Sequence, residues 1–405
     1  MENLTQDGRL LFVSRMVRLF AYGFVSTILV IYLAELGLGH NQIGLLLTMT
    51  LIGDAGISLW LTTVADRQGR KKMLLLGALL MVFAGVLFAW TRNIYLLILA
   101  ATLGVISPSG NEVGPFLAIE QASLSHVTAQ QKRTKIFAWY NLAGSLSTAF
   151  GALASGAGVQ LLQRYGFSLL SSCRLVVVGY AVLGFVLLLI FCLLSSQIEV
   201  RFETPSERRW FGLHHSKSMI FKLALLFSLD AFGGGFILQS IIAYWFHVRF
   251  GLQPIFLGAL FWCANVLAGF SGLIAARLAS RIGLIRTMVF THVPSNVLLL
   301  LVPLMPNVFW AMAVLLLRFS ISQMDVPTRQ SYTMAVVAPD ERAAASGITN
   351  VARTLGAAVS PLLLAPLMAS AATLGICFYA AGGLKLVYDF LLYKSFKRIK
   401  PAEES

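Results

Sequence analysis

Charge is scarce in this chain: Asp, Glu, Lys and Arg make up 12% of its 405 residues, against 58% hydrophobic residues. A soluble fold of this length needs far more polar surface than that. Cysteine is scarcer still. Cys173, Cys192, Cys263 and Cys377 each lie in an apolar run, with no CxxC pair and no histidine cluster nearby. That excludes a disulfide framework and a zinc site. The opening "MENLTQDGRLLF" lacks a basic n-region followed by a cleavage site, so the first span is expected to serve as its own insertion signal. Neither a GxxxxGK[ST] phosphate loop nor a nucleophile elbow occurs, which argues against an ATP-driven pump and against an enzyme. No cofactor or resident metal is expected.

Apolar length is what the chain has instead. Runs of the size needed to cross about 30 Å of hydrocarbon recur from end to end. They predict about twelve spans, at 11–35, 41–64, 73–91, 95–118, 136–163, 168–194, 219–247, 254–279, 287–305, 308–337, 343–369 and 371–393. The net charge of +14 falls mostly in short connections between spans, which points to membrane orientation and anionic lipid rather than nucleic acid. Alternate connections carry Arg67 to Lys72, Lys132 to Lys135, Arg201 to Lys217, Arg277 to Arg286 and the tail from Lys394. The opposite side holds little beyond Arg92, Arg164 and Arg249. The positive-inside rule places both termini in the cytoplasm of a cell (inner) membrane protein.

The longest polar stretch, "SSQIEVRFETPSERRWFGLHHSKSM", divides the chain into a bundle at 1–195, a cytoplasmic linker at 196–218 and a bundle at 219–405. The halves echo one another in order. "GLGHNQIGLLL" pairs with "GLQPIFLGALF", "RLFAYGF" with "DAFGGGF", "EVGP" with "DVPT", and "KRTKIFAWYN" with "ERAAASGITN". Two parallel six-helix halves related by an axis along the membrane normal are an architecture of alternating-access transporters.

"VADRQGRKK", after the second span, resembles the signature loop of the major facilitator superfamily. Asp66, Arg67, Gly69, Arg70, Lys71 and Lys72 match it, and Gly53 matches an earlier glycine of its extended form. Thr62 stands where a glycine is usual. The second half keeps Arg281, Gly283 and Arg286 but has Ser280 in place of the acid. The resemblance implies an all-α membrane fold of two pseudo-symmetric six-helix bundles, with this loop latching the cytoplasmic side in one state of the cycle. Physically, Asp66 can accept hydrogen bonds from a neighbouring helix N-terminus, and Gly69 permits a tight turn. The plainer reading is that the cations only set topology.

Ionisable groups at membrane depth are functional candidates by default. Asp230, Glu112, Asp325 and Asp54 are the candidates for proton coupling. Asp230 in span seven stands opposite Arg18 in span one, so the two either pair across the bundle seam or Arg18 snorkels to the headgroups. Arg318, Asp325 and Arg329 are spaced for one helix face, with Asp325 in i,i+4 reach of Arg329. Glu120 and Arg329 are read as a fixed salt-bridge network, Asp54 as helix packing, and Lys385 and Asp389 as a local i,i+4 pair. Arg18, Arg329 and Arg353 can clamp an anionic group. Gly144, Gly151 and Gly156 loosely resemble the glycine-rich motif of the superfamily's antiporters, although its proline is missing.

The resemblance implies a secondary transporter. An aromatic interior, with Tyr22, Tyr32, Phe236, Tyr244, Trp245 and Trp262 as candidate lining, suits proton-coupled export of an amphiphilic or drug-like small molecule by a monomer in the lipid bilayer. The alternatives are transport of an anionic metabolite or metal chelate, and a sensor that keeps the fold without transporting.

Overall fold

The computed structural model describes residues 5–112, 114–126, 133–199, 216–337 and 341–397. Among them there is no strand. The first half runs α1 (Gln6–Ser26), α2 (Leu29–Glu35), α3 (His40–Gln68), α4 (Arg70–Trp90), α5 (Ile94–Leu103), α6 (Phe116–His126), α7 (Arg133–Arg164) and α8 (Leu169–Cys192). The second runs α9 (Lys217–Gly235), α10 (Gln239–Phe250), α11 (Pro254–Ile282), α12 (Leu284–Leu301), α13 (Val308–Ser322), α14 (Asp325–Ala335), α15 (Arg342–Val359) and α16 (Ala371–Phe396). Side-chain caps open several of them: Asn93, Ser168, Asn307 and Ser370 each accept from a backbone N–H of the first turn.

Nine of the described segments are long and apolar enough to cross a membrane, and α1 with α2 makes a further span bent by 45°. The chain is an integral multi-pass membrane protein, and its fold is two pseudo-symmetric sets of helices. Four of the spans expected to be continuous are broken, each for a local reason. Between α1 and α2, the Ser26 and Thr27 hydroxyls bond back to the Gly23 carbonyl, competing with the helix ladder. Between α5 and α6 the stretch "GVISPSGNEVGP" supplies Gly and Pro, and Gly110 and Gly114 take positive φ. α9 ends in the run Gly233–Gly235 before α10 begins. α13 and α14 part at Gln323–Met324, because Pro327 has no N–H to offer the Gln323 carbonyl. The breaks recur in matching places in the two halves, so the duplication read from the sequence extends to the backbone.

The described chain clusters into two compact units, 1–203 with 238–265, and 204–237 with 266–405. In the first, α1 packs along α7 and α4 along α8. A Cβ at Gly151 would stand 2.0 Å from the Phe20 carbonyl oxygen, so only glycine allows that approach. Leu238–Asn265 is seated in the same unit: Gln239 Nε2 donates to Ser26 Oγ at 2.9 Å, and the Ser240 N–H to the Pro108 carbonyl at 3.1 Å. In the second unit α9 packs along α15 and α12 along α16. One end is filled by a core including Phe227, Tyr332, Tyr388 and Phe396.

Candidate functional site

Hydrocarbon cannot solvate a charge, so every ionisable side chain within a span must find a partner or open space. In the first unit Arg18 is fully buried. Its Nη1 and Nη2 reach Glu120 Oε1 and Oε2 at 2.6 and 2.8 Å, a fork-on-carboxylate pair, and its Nε reaches Glu112 at 2.8 Å. Arg15 donates to the other Glu112 oxygen at 2.8 Å and to Asn141 at 3.2 Å, with its guanidinium 4.3 Å from the centre of the Tyr140 ring. Ser14 at 2.8 Å and the Tyr140 hydroxyl also donate to Glu120. Gly144 lets Arg15 in, since a Cβ there would stand 2.6 Å from the Arg15 Nε. Glu112 comes from the break between α5 and α6, so the irregular backbone delivers the acid that α1 needs.

The expected pairing of Arg18 with Asp230, and the alternative of snorkelling, both give way to this arrangement. Two arginines meet two glutamates inside one unit, the least costly way to desolvate a bidentate cation. Asp54 accepts from Ser58 at 3.0 Å and from the Gly114 N–H, bracing the break beside Glu112.

The second unit holds the larger cluster. Asp230 on α9 is 3% exposed. Its Oδ1 receives Lys385 Nζ of α16 at 2.6 Å, with His292 Nε2 of α12 at 3.8 Å. Its Oδ2 receives Arg329 Nη1 of α14 at 3.4 Å, and the same nitrogen reaches Asp325 at 2.9 Å. His292 Nδ1 lies 2.8 Å from Asp389, whose other oxygen takes Asn296 Nδ2 at 2.9 Å. The Asp325–Arg329 pair thus forms as its spacing predicts. The local Lys385–Asp389 pair does not: each turns to a partner on another helix, because interhelical contacts remove more of both groups from hydrocarbon than an i,i+4 contact along one helix. Arg318, Asp325 and Arg329 share no continuous helix face, since the chain breaks at Gln323–Met324. His292 and Asn296 were not singled out from the sequence, although a histidine inside a span is itself a signal.

The charged loop after α3 is tied within the first unit. Gly69 has φ +107° and separates α3 from α4. The freed N–H groups of Arg70 and Lys71 donate to the Glu199 carboxylate at 2.7 and 3.1 Å, so Glu199 is an acceptor at this helix terminus. Lys71 Nζ caps the carbonyls of Cys192 and Leu194 at 2.8 and 2.6 Å, and Arg70 donates to the Ile198 carbonyl at 3.3 Å. The side chains of Asp66 and Arg67 lie outside the described residues, as does the linker over 200–215. Gly283, with φ +87°, makes the equivalent turn between α11 and α12.

Of the aromatic candidates, Tyr22, Tyr32 and Trp245 are sealed in packing, and the Tyr32 hydroxyl is spent on the Phe88 carbonyl at 2.6 Å. Tyr244 and Trp262 are half-buried. Trp262 stands 6.4 Å from Phe150, and its indole N–H has no partner among the described residues. Arg353 and Arg318 carry buried Nε atoms that are likewise unbonded.

Comparison with known proteins supplies what the geometry alone does not. A family model described as Major Facilitator Superfamily matches residues 11–361. An uncharacterized membrane protein of Saccharomyces cerevisiae is 29% identical over 96% of this chain and 93% of its own. The quinolone resistance protein NorA of Staphylococcus aureus is 31% identical over 108 residues, 27% of this chain and 28% of its own. Among solved structures, the nucleoside transporter NupG superposes with a TM-score of 0.74 at 15% identity, over 96% of this chain and all of its own. A D-xylose–proton symporter superposes at 0.68 and 14% identity, over 96% and 97% of the two chains. At those identities the superpositions establish the fold.

Proposed function

The chain belongs to the major facilitator superfamily and is a membrane transporter rather than an enzyme, and we propose that it carries a small organic solute outward in exchange for protons, with Asp230 as the coupling acid. The observation that carries this reading is the sharing of one buried carboxylate by Lys385, Arg329 and His292. A proton arriving on Asp230 removes the charge that holds two cations, so protonation and rearrangement of α9, α14 and α16 are one event. The cluster of Arg15 and Arg18 with Glu112 and Glu120, two cations against two carboxylates, is balanced in charge and in this reading serves as a fixed brace. Likeness over 108 residues to a protein named for quinolone resistance supports a drug-like solute. In this reading the moving bodies are the bundles at 1–195 and 219–405, joined by the linker at 196–218. The protein works as a monomer with both termini cytoplasmic, and the Gly69 loop with Glu199 belongs to the inner gate.

The test is reconstitution in liposomes containing a pH-sensitive dye, with a panel of lipophilic cations and small organic anions. Solute-evoked proton movement that vanishes in Asp230→Asn and persists in Glu112→Gln is the expected result. Solute flux with no proton movement would remove the coupling role from Asp230.

A further inference from the structure

Three carboxylates, Asp230, Asp325 and Asp389, are buried in the second unit. Lys385 and Arg329 meet Asp230, and Arg329 also meets Asp325; no other lysine or arginine among the described residues pairs with any of the three. Asp389, 1% exposed, therefore lacks a permanent cation. Its Oδ1 lies 2.8 Å from His292 Nδ1, and its Oδ2 accepts from Asn296 Nδ2 at 2.9 Å. A carboxylate buried in hydrocarbon without a permanent cation has to share a proton. The Asp389–His292 pair accordingly holds two protons, one between Oδ1 and Nδ1 and one on Nε2.

That second ring nitrogen faces Asp230. Nε2 is 3.8 Å from Asp230 Oδ1, the same oxygen that Lys385 Nζ holds at 2.6 Å. An imidazole between two carboxylates can receive a proton on one nitrogen and release one from the other. About 1 Å of approach brings Nε2 into hydrogen-bond range. The helix α12 has give there, because Pro294 denies the Phe290 carbonyl its ladder hydrogen bond. Lys385 also has a second acid within reach, since Asp389 stands one turn on along α16. The glycine run of α9 leaves the ammonium room to swing: even a Cβ at Gly234 would stay 3.8 Å from Nζ.

We propose that His292 hands a proton to Asp230 and that Lys385 answers by moving from Asp230 to Asp389. The proton leaves Nε2, whose electron pair stays on the ring, and an O–H bond forms at Asp230 Oδ1. The imidazole is left neutral, its Nδ1–H donating to Asp389, which is now a full anion. Lys385, displaced from Oδ1, neutralises that anion. Net charge is the same before and after, so the hand-over avoids an unpaired ion in hydrocarbon. The step rests on the carrier reading above and deepens it, naming the residue that delivers the coupling proton and the cation whose move releases α9 from α16.

Two measurements on the full chain in phosphatidylcholine nanodiscs test this switch. The first is nitrogen NMR of the histidine rings at neutral pH, with His292 assigned through His292→Gln. Its Nε2 is expected to bear a proton in the natural chain and to be bare in Asp230→Asn, where Lys385 has moved to Asp389. The second is a cycle of thermal unfolding. Asp230→Asn and Asp389→Asn together should lower the melting temperature by about 2 °C or more beyond the sum of the single losses, because Lys385 then has neither acid. In the Lys385→Met background that excess should vanish, whereas simple repulsion between the two acids would preserve it. An Nε2 alike in the natural chain and Asp230→Asn, additive losses, or an excess that survives Lys385→Met would each overturn the proposal. Ethidium flux in dye-loaded liposomes separates the switch from the carrier reading. Flux without proton movement, beside an intact thermal coupling, removes the carrier reading and keeps the switch. Proton coupling that needs Asp230, beside additive losses, does the reverse.

Discussion

In the first unit Arg15 and Arg18 meet Glu112 and Glu120 with nearly every donor and acceptor used, whereas in the second Asp230 is divided among three basic groups, and the Nε atoms of Arg318 and Arg353 are buried with no partner among the described residues. The two halves descend from one repeated pattern, with breaks and glycine turns in matching places, yet they have spent their buried charges differently. A matched set resists change, because moving any member strands its partner in a medium that cannot solvate it. A shared carboxylate offers alternatives of similar energy, which is what a transport cycle needs. In the proposed cycle the first unit is the scaffold and the second the working centre.

That contrast is open to direct attack. The largest effect is expected from Asp230→Asn, which should lower solute-driven proton flux by at least about 100-fold, the scale on which a single proton-transfer group acts. The double variant Asp230→Asn with Lys385→Met should regain thermal stability without regaining flux, whereas recovery of both would make Asp230 structural. Next comes Arg18→Met, which strands Glu120 and half of Glu112 and should destabilise the protein by about 3–5 kcal/mol. Its surviving folded fraction should keep the natural solute-to-proton ratio, measured as flux per folded molecule. A changed ratio would move coupling into the first unit. Gly151→Ala should cost about 1–3 kcal/mol by overpacking α1 against α7, read as a lower melting temperature. The smallest effect belongs to Glu199→Gln, which weakens the anionic cap on α4 by about 1 kcal/mol. Its readout is faster backbone hydrogen exchange at Arg70 and Lys71 with the Asp230 network unaltered.

Much of this was legible from residue order. The recurring apolar spans, the charged loop and the rarity of buried charge all follow from hydropathy and the cost of ions in hydrocarbon, and most charged residues of both networks were candidates on those grounds; Arg15, His292 and Asn296, with the supporting Tyr140, Asn141 and Ser14, were not. Partner choice was not legible. Arg18 lies 102 positions from Glu120, and Lys385 lies 155 from Asp230, while a nearer acid, Asp389, sat at i,i+4 and was passed over. Local spacing identifies which pairs can meet along one helix, and it carries no information on which helix lies alongside. Glu199 was hidden for the same reason, since nothing at position 199 signals the helix N-terminus at position 70.

The sequence by itself determined that this chain lives in a bilayer, that it is built twice over, and that a handful of ionisable groups would have to be reconciled with hydrocarbon, because apolar length, repetition and charge are properties of residues in order. Only the tertiary structure decided which of those groups neutralise one another and which are left in surplus. That outcome depends on side chains from α1, α6 and the α5–α6 break in one unit, and from α9, α12, α14 and α16 in the other, arriving within about 3 Å of each other, the range over which a charge-assisted hydrogen bond replaces lost water.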